Sequence, residues 1–252
     1  TGFIPNLDDR FDGTFANIND VVEEKEQLLV DLANRVVTHN GADVVILADV
    51  ADVTEAEKKG LYVAAHAHAR EGAAAAVRAG VRSIEHGTWV DDATLDEMKR
   101  RGTFFVPTLA VMSPLGDPQG NSAEDVALQL RTQSMMGPLR AAVRKAYALG
   151  ITIAAATDGS YADKDDTGRI RIAHEIAMLR ELEGFTQLES ITAATLNGAR
   201  VIGIESRTGS IRVGLEADLV AYDGDPLTDT RTFFEPRLVV SDGRIVAEGA
   251  GL

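Results

Sequence analysis

The chain has 252 residues, enough for one large domain or two small ones, and its 45% hydrophobic and 25% charged residues are the balance of an ordinary folded protein. A net charge of -14 disfavours nucleic acid and anionic membrane as partners, since both need a basic face, and it fits an acidic surface that confers solubility. There is no cysteine, which excludes disulfides, thiolate metal sites and cysteine nucleophiles; with no signal peptide and no apolar run of about 18 residues, a cytoplasmic protein without a membrane span is expected.

In chain order, residues 1–18 are polar and irregular. NDVVEEKEQLLVDLANRVV, from Asn19, reads as a helix: Val21, Val22, Leu28, Leu29, Leu32 and Val36 recur at helical spacing, and Asn19 or Asp20 can cap the start. His39 follows that helix. GADVVILADV is a short run rich in β-branched residues, typical of a buried parallel strand. A short helix over 53–59 ends at Gly60. LYVAAHAH is a strand, EGAAAAVRAG a helix stopped by Gly80, and VRSIEHG a strand. DDATLDEMKRRG is a helix with an Asp cap and a basic last turn, and TFFVPTL is a strand. Residues 113–122 are a Gly/Pro-rich loop. Helical sequence then runs to Leu149 with an interruption at Gly137-Pro138. GITIAAATDGS is a strand and its exit, and helices follow at roughly 168–183 and 187–198.

Apolar strands alternating with helices indicate a parallel sheet with helices outside it. Five such strands fall between 44 and 156; a closed barrel needs eight, and an open doubly wound sheet needs only five or six. From about Thr208 the texture changes to short strands separated by Gly, Pro and Asp-Gly turns, including the hairpin signal Asp242-Gly243. The expected organisation is an irregular segment 1–18, an α/β portion 19–205 and a small all-β segment 206–252.

Active sites of parallel α/β folds lie at the carboxyl ends of the strands. His66 and His68 end one strand, His86 ends the next, and Asp158 follows the last. Residues two apart in a strand face the same side, so His66 and His68 both face the site if the strand runs through 68; a strand ending near His66 leaves His68 on the rim. Two imidazoles and a carboxylate from separate strands suit zinc or a related divalent ion. Such an ion makes water acidic enough to lose a proton near neutral pH, and Asp158 is placed to take that proton and pass it on. One histidine at a strand end is more often structural; the convergence of three with an acid favours chemistry. A metal-free enzyme using His66 and His86 as acid and base is the alternative.

Taken together, GLYVAAHAHAREGAAAAVRAGVRSIEHGTWVDDATLDEMKRRGTFFVPTL, AAATDGS, RIRIAHEIAMLRELEGFTQLESITAATLNGARVIGI, GSIRVGLEADLVAYDGDPL and VVSDGRIV resemble the amidohydrolase superfamily, in its imidazolonepropionase-like and prolidase-type branch, over roughly residues 19–249. The resemblance implies a distorted (β/α)8 TIM-type barrel holding one or two divalent ions, often zinc, that hydrolyses amide or ester bonds of small molecules. By position, His66 and His86 resemble the metal ligands of the fifth and sixth strands. Asp158 resembles the eighth-strand aspartate that binds metal and moves the proton. His68 would touch the ligands or the substrate, Thr108 and Tyr161 would line the pocket, and His174 would lie near its mouth unless it merely caps a helix.

Two features depart from the family pattern. The first-strand His-x-His pair has no counterpart, because only His39 precedes the VAAHAH strand. The fourth-strand lysine falls at about Ile46, which cannot ligate; Asp49 or Asp52 just beyond either substitutes or belongs to a loop. One ion, zinc, is therefore expected, not two. The expected fold is α/β, a partial or remodelled (β/α)8 TIM-type barrel from the fourth strand onward with a small C-terminal all-β segment. Such a chain is part of a longer enzyme, closes its barrel with a second chain or a copy of itself, or covers the open edge with residues 1–40. The expected activity is metal-dependent hydrolysis of a C–N bond in a dipeptide, N-acyl or cyclic amide substrate; the alternative is an inactive relative serving binding or assembly.

Overall fold

The structure, a computed structural model, describes residues 37–39, 42–46, 53, 56, 58–115, 123–158 and 172–249. The irregular segment 1–18, the helix expected from Asn19, Asp49, Asp52, residues 116–122 and Tyr161 lie outside them.

Val37–His39 (β1) and Ala42–Ile46 (β2) pair antiparallel, so His39 closes a strand and does not simply trail a helix. Thereafter the sheet is parallel. Tyr62–Ala67 (β3) pairs with β2, Ser83–His86 (β4) with β3, and Phe104–Val106 (β5) with β4, in the order β1-β2-β3-β4-β5. The apolar stretch after Gly150 lies parallel to β5 but shrinks to a single bridge, Ile153 to Phe105, where a full strand is expected. Phe105 N donates to Thr152 O and Ala154 N donates to Phe105 O, both at 3.0 Å. Beyond that point helical groups take the hydrogen bonds a ladder would use: Ala155 N donates to Ala193 O at 3.0 Å, and Asn197 Nδ2 donates to Ile153 O at 2.9 Å. Among the described residues the sheet forms no closed barrel.

The helices on the sheet begin and end for local reasons. Arg70–Ala79 (α1) stops at Gly80, where φ is +96°. Asp92–Arg101 (α2) starts at Asp91, whose carboxylate accepts from Thr94 N at 2.9 Å, and stops at Gly102 with φ +73°. Leu109–Leu115 (α3) follows β5 directly. Ala123–Leu149 (α4) runs unbroken through Gly137-Pro138, against expectation. Pro138 removes one backbone donor, yet Met135, Leu139, Ala142, Val143 and Ala146 form one buried stripe across it, and that burial outweighs the local penalty. Ile172–Leu182 (α5) comes next. The expected helix over 187–198 is two, Gln187–Ala194 (α6) and Leu196–Val201 (α7), separated at Thr195 by a non-helical backbone.

The core sits between the sheet and these helices. Val63, Ala65 and Ala67 of β3 are buried toward α1, which contributes Ala73 and Val77; Ile84, Phe105, Leu95 and Met98 continue the layer. Tyr62, Ala64 and His66 occupy the opposite face of β3, as strand alternation requires. The C-terminal part is a separate antiparallel sheet of Leu219–Tyr222 (β6), Pro236–Ser241 (β7) and Arg244–Glu248 (β8). Its hairpin turns at Asp242 and Gly243, both at positive φ, as a two-residue loop of this type demands. Residues 210–214 form no strand, and Ile211 and Val213 are exposed. Phe233, in a short 3-10 helix at Thr230–Phe234, packs on Ala173 and Ile176 of α5. Among the described residues no helix is long and apolar enough to cross a membrane.

Candidate metal centre

Each residue singled out at a strand end lies at the carboxyl edge of the parallel sheet. His66 is the penultimate residue of β3, His86 ends β4, Thr108 follows β5, and Asp158 follows the bridge at Ile153. In the β3–β4 register His66 lies opposite Glu85 and Ala67 opposite His86. His66 and Glu85 therefore share a face, and regular alternation would send the His86 ring to the other side. A left-handed backbone at His86, φ +67°, breaks that alternation, and its Nε2 comes to 2.9 Å from His66 Nδ1. Thr108 and Asp158 are left-handed too, at φ +52° and +48°. Such a backbone is uncommon for any side chain and most costly for a β-branched one.

The glycine after His86 is explained by space as well as conformation. Gly87 has φ +60°, and a Cβ there would stand 2.5 Å from Cε2 of Phe105. The core ring beneath thus fixes how closely the His86 turn can sit on β5.

Hydrogen bonding sets the protonation of His86. Thr108 Oγ1 donates its proton to Pro107 O at 2.7 Å, so at 2.7 Å from His86 Nδ1 the same oxygen must accept. His86 therefore carries its proton on Nδ1, and the Nε2 lone pair faces His66 Nδ1. Either a proton or a cation must lie between those nitrogens. Asp158 Oδ2 is 3.9 Å from the same Nε2. His68 joins the group: its ring stacks on His86 at 4.6 Å, its Nδ1 is 2.8 Å from Thr88 Oγ1, and the ligand atoms of His66, His68 and His86 all lie within 4.8 Å of one another.

Burial holds these imidazoles uncharged. Desolvation first, then the neighbouring His66 and His68, push His86 down to about 3. Desolvation, His66 and Arg131 push His68 down to about 4. Desolvation also lowers His66, against the pull of Asp158. Burial raises the Asp158 carboxyl, with His66 opposing. At neutral pH His86 is uncharged, so the approach of Asp158 is not an ion pair.

A divalent ion holds two ligand atoms at about 2.0–2.2 Å each, which puts them roughly 3–3.5 Å apart. The observed 2.9 and 3.9 Å bracket that spacing. Neutral imidazole is the form a metal requires, and an Nδ1–H tied to a hydroxyl is the kind of outer bond that orients a ligating histidine. The residues present fit a divalent cation.

A cavity of about 470 Å³ opens beside this group, lined by His66, Glu85, His86, Thr108 and Asp158, with Tyr62 and Ala154 among the apolar neighbours. Sequence reasoning missed three polar residues around this group, Ser83, Glu85 and Thr88. Ser83 Oγ donates to Glu85 at 2.6 Å, and burial raises the Glu85 carboxyl to about 7. The signal for Glu85 was present, since alternation along β4 places it beside His66. Thr88, which holds His68, carries no such signal. His174 lies on α5 with its ring edge-on to Phe234 at 4.8 Å and is not a member of the histidine group.

The chain is 32% identical to ochratoxinase from Aspergillus niger over 206 residues, 79% of this chain and 41% of that enzyme. The ochratoxinase crystal structure matches with a TM-score of 0.67 at 31% identity, over 79% of this chain and 44% of that one. Imidazolonepropionase from Xanthomonas campestris pv. campestris is 27% identical over 202 residues, 73% of this chain and 45% of the relative. The crystal structure of a Xaa-Pro dipeptidase with methionine bound in its active site matches with a TM-score of 0.71 at 32% identity, over 79% of this chain and 48% of that one. The chain spans less than half the length of each of these relatives. Their fold is of the TIM-barrel α/β type, to which the parallel run β2 to β5 and its outer helices correspond. Residues 12–246 match the Amidohydrolase family. The chain belongs to the amidohydrolase family.

Proposed function

We propose that this chain carries the metal-binding part of the active site of a hydrolase that cleaves a C–N bond in a small amide, dipeptide, N-acyl or cyclic amide substrate. One observation carries the reading: His86 Nε2 meets His66 Nδ1 at 2.9 Å and Asp158 Oδ2 at 3.9 Å, at the carboxyl edge of a parallel sheet. Family membership and the enzymes among its relatives support it.

His66 and His86 would hold one divalent ion with Asp158 beside them, and the imidazole-rich donor set favours zinc. When bound, such an ion polarises a carbonyl oxygen and makes water acidic enough to react near neutral pH. Asp158, with 39% of its side chain exposed at the cavity wall, takes the proton of the attacking water on a carboxylate oxygen and returns it to the leaving nitrogen. Thr108 keeps His86 in one tautomer throughout. His68, Thr108, His174 and Tyr161 are the candidates for contact with substrate.

The same proposal takes the α/β portion 19–205 as a (β/α)8 barrel from its fourth strand onward, preceded by the segment 1–18 and followed by the β segment 206–252. A second copy of the chain or additional polypeptide supplies the strands that close it.

Metal quantification on the freshly purified chain, followed by hydrolysis of N-acyl amino acids and dipeptides before and after chelation, tests the reading. The expected result is a stoichiometric divalent ion, lost in His86→Ala and kept in His39→Ala, with turnover removed by chelator and restored by metal. A chain that never takes up metal, or equal loss in both variants, overturns it.

A further inference from the structure

We propose that His68 is a direct ligand of the same divalent cation through Nε2, so that β3 and β4 alone present three imidazoles to it. The inference rests on the metal-centre reading above and goes beyond it, since that reading needs only His66, His86 and Asp158.

Three observations carry it. Nδ1 of His68 is engaged by Thr88 Oγ1 at 2.8 Å, and Thr88 is only 1% exposed, so Nε2 is the nitrogen left for a cation. The His68 backbone is pinned to the same turn: Gly87 N donates to Ala67 O and Trp89 N donates to His68 O, both at 3.0 Å. Strand pairing thus continues one residue past β3, and main chain and side chain are tied together to residues 87–89. Finally, one ring nitrogen from each of the three histidines lies within 4.8 Å of the others, and small side-chain rotations bring such atoms to bonding distance of one ion.

The arrangement repeats itself. His86 has Nδ1 on the hydroxyl of buried Thr108, and His68 has Nδ1 on the hydroxyl of buried Thr88. A ligating histidine characteristically donates its far ring N–H to an oxygen that orients it, and each threonine hydroxyl is placed to be that oxygen. Its appearance on both stacked rings supports a shared role for His68 and His86. Thr88 is then a positioning residue for His68, as Thr108 is for His86. Three protein ligands with open positions also match the donor count of a catalytic zinc site, and here all three come from residues 66–86.

Titration of the full chain with Co2+, followed by visible absorption, tests the assignment. Wild type is expected to bind one Co2+. His68→Gln and His68→Ala should weaken binding by more than about 100-fold, beyond the ~10–100-fold typical of residues that only orient a ligand. Thr88→Val should weaken it by ~10–100-fold, and at saturating Co2+ the His68 variants should show an altered absorption band. Long-range 1H–15N spectra of wild type with and without Zn2+ give the same answer without mutation: Nε2 of His68 shifts on metal addition if it ligates. Affinity and band unchanged in both His68 variants, with an unmoved Nε2 resonance, would remove His68 from the ligand set and leave the metal centre standing. A wild-type chain that binds no Co2+ overturns both.

Discussion

Replacing Glu175 by glutamine isolates one buried carboxyl outside the group of His66, His68 and His86. Glu175 is fully buried on α5, its Oε2 accepts from Ala110 N at 2.7 Å, and Oε1 has no partner among the described residues. Burial raises it from 4.5 to about 8; the N–H groups of Ala110 and Leu109 at the start of α3 oppose the rise, and Glu183 adds to it. The native state therefore keeps a proton that the unfolded chain gives up above its ordinary pKa of 4.5. That contribution is fully present below pH 4.5, falls as pH rises, and is gone above about 8. At 1.36 kcal/mol per pH unit the full swing is about 5 kcal/mol, an upper bound because relaxation around a buried charge reduces it. Glutamine has no proton to lose, so the stability of wild type relative to Glu175→Gln should fall steadily between about pH 5 and 8. Urea denaturation followed by the fluorescence of Trp89, the single tryptophan, reads this difference at each pH. Chelator keeps metal linkage at the histidines out of the measurement. A difference constant to within about 0.5 kcal/mol across that range would refute the reasoning.

Thr108→Val should leave the His86 Nδ1–H without an acceptor, costing about 1–3 kcal/mol of stability and ~10–100-fold in metal affinity. Thr108→Ser should restore both, and equal affinities for Val and wild type in a metal titration would discard the tautomer argument. Gly87→Ala places a methyl 2.5 Å from the Phe105 ring on a left-handed backbone, so a loss of about 1–3 kcal/mol and poorer metal uptake are expected. An unfolding midpoint unchanged from wild type would show that the ring yields. Leu139→Ala removes a fully buried side chain from the stripe that carries α4 past Pro138; about 2–5 kcal/mol should be lost, with far-UV helicity falling if that stripe is what holds the helix through the proline.

From Leu61 to Thr108 the order of strands and helices is legible in the sequence because each apolar run is closed by punctuation with a physical cause: Gly80 and Gly102 at positive φ, and Asp91 as a cap. His66, His86 and Asp158 are legible as site candidates for a related reason, since each follows an apolar run and parallel topology carries such ends to one edge. What escapes is set by tertiary contacts. Gly137-Pro138 looks like a break because local propensity says so, and five buried side chains overrule it. The strand after Gly150 looks longer than it is because Ala193 and Asn197 claim its backbone groups. Thr88 lies twenty residues from the histidine it holds, and no periodicity links a turn hydroxyl to a ring at that distance.

Three strand ends place His86, Thr108 and Asp158 in a backbone region that glycine or asparagine occupies with less strain. At about 1–3 kcal/mol each, this is stability surrendered for reach. Mutation should therefore drift toward small residues at these positions in any lineage released from selection for turnover, because every such change relaxes the fold. Retention of histidine, threonine and aspartate at these positions would mark descendants still under selection for chemistry, and their replacement by glycine would mark those that survive as scaffolds.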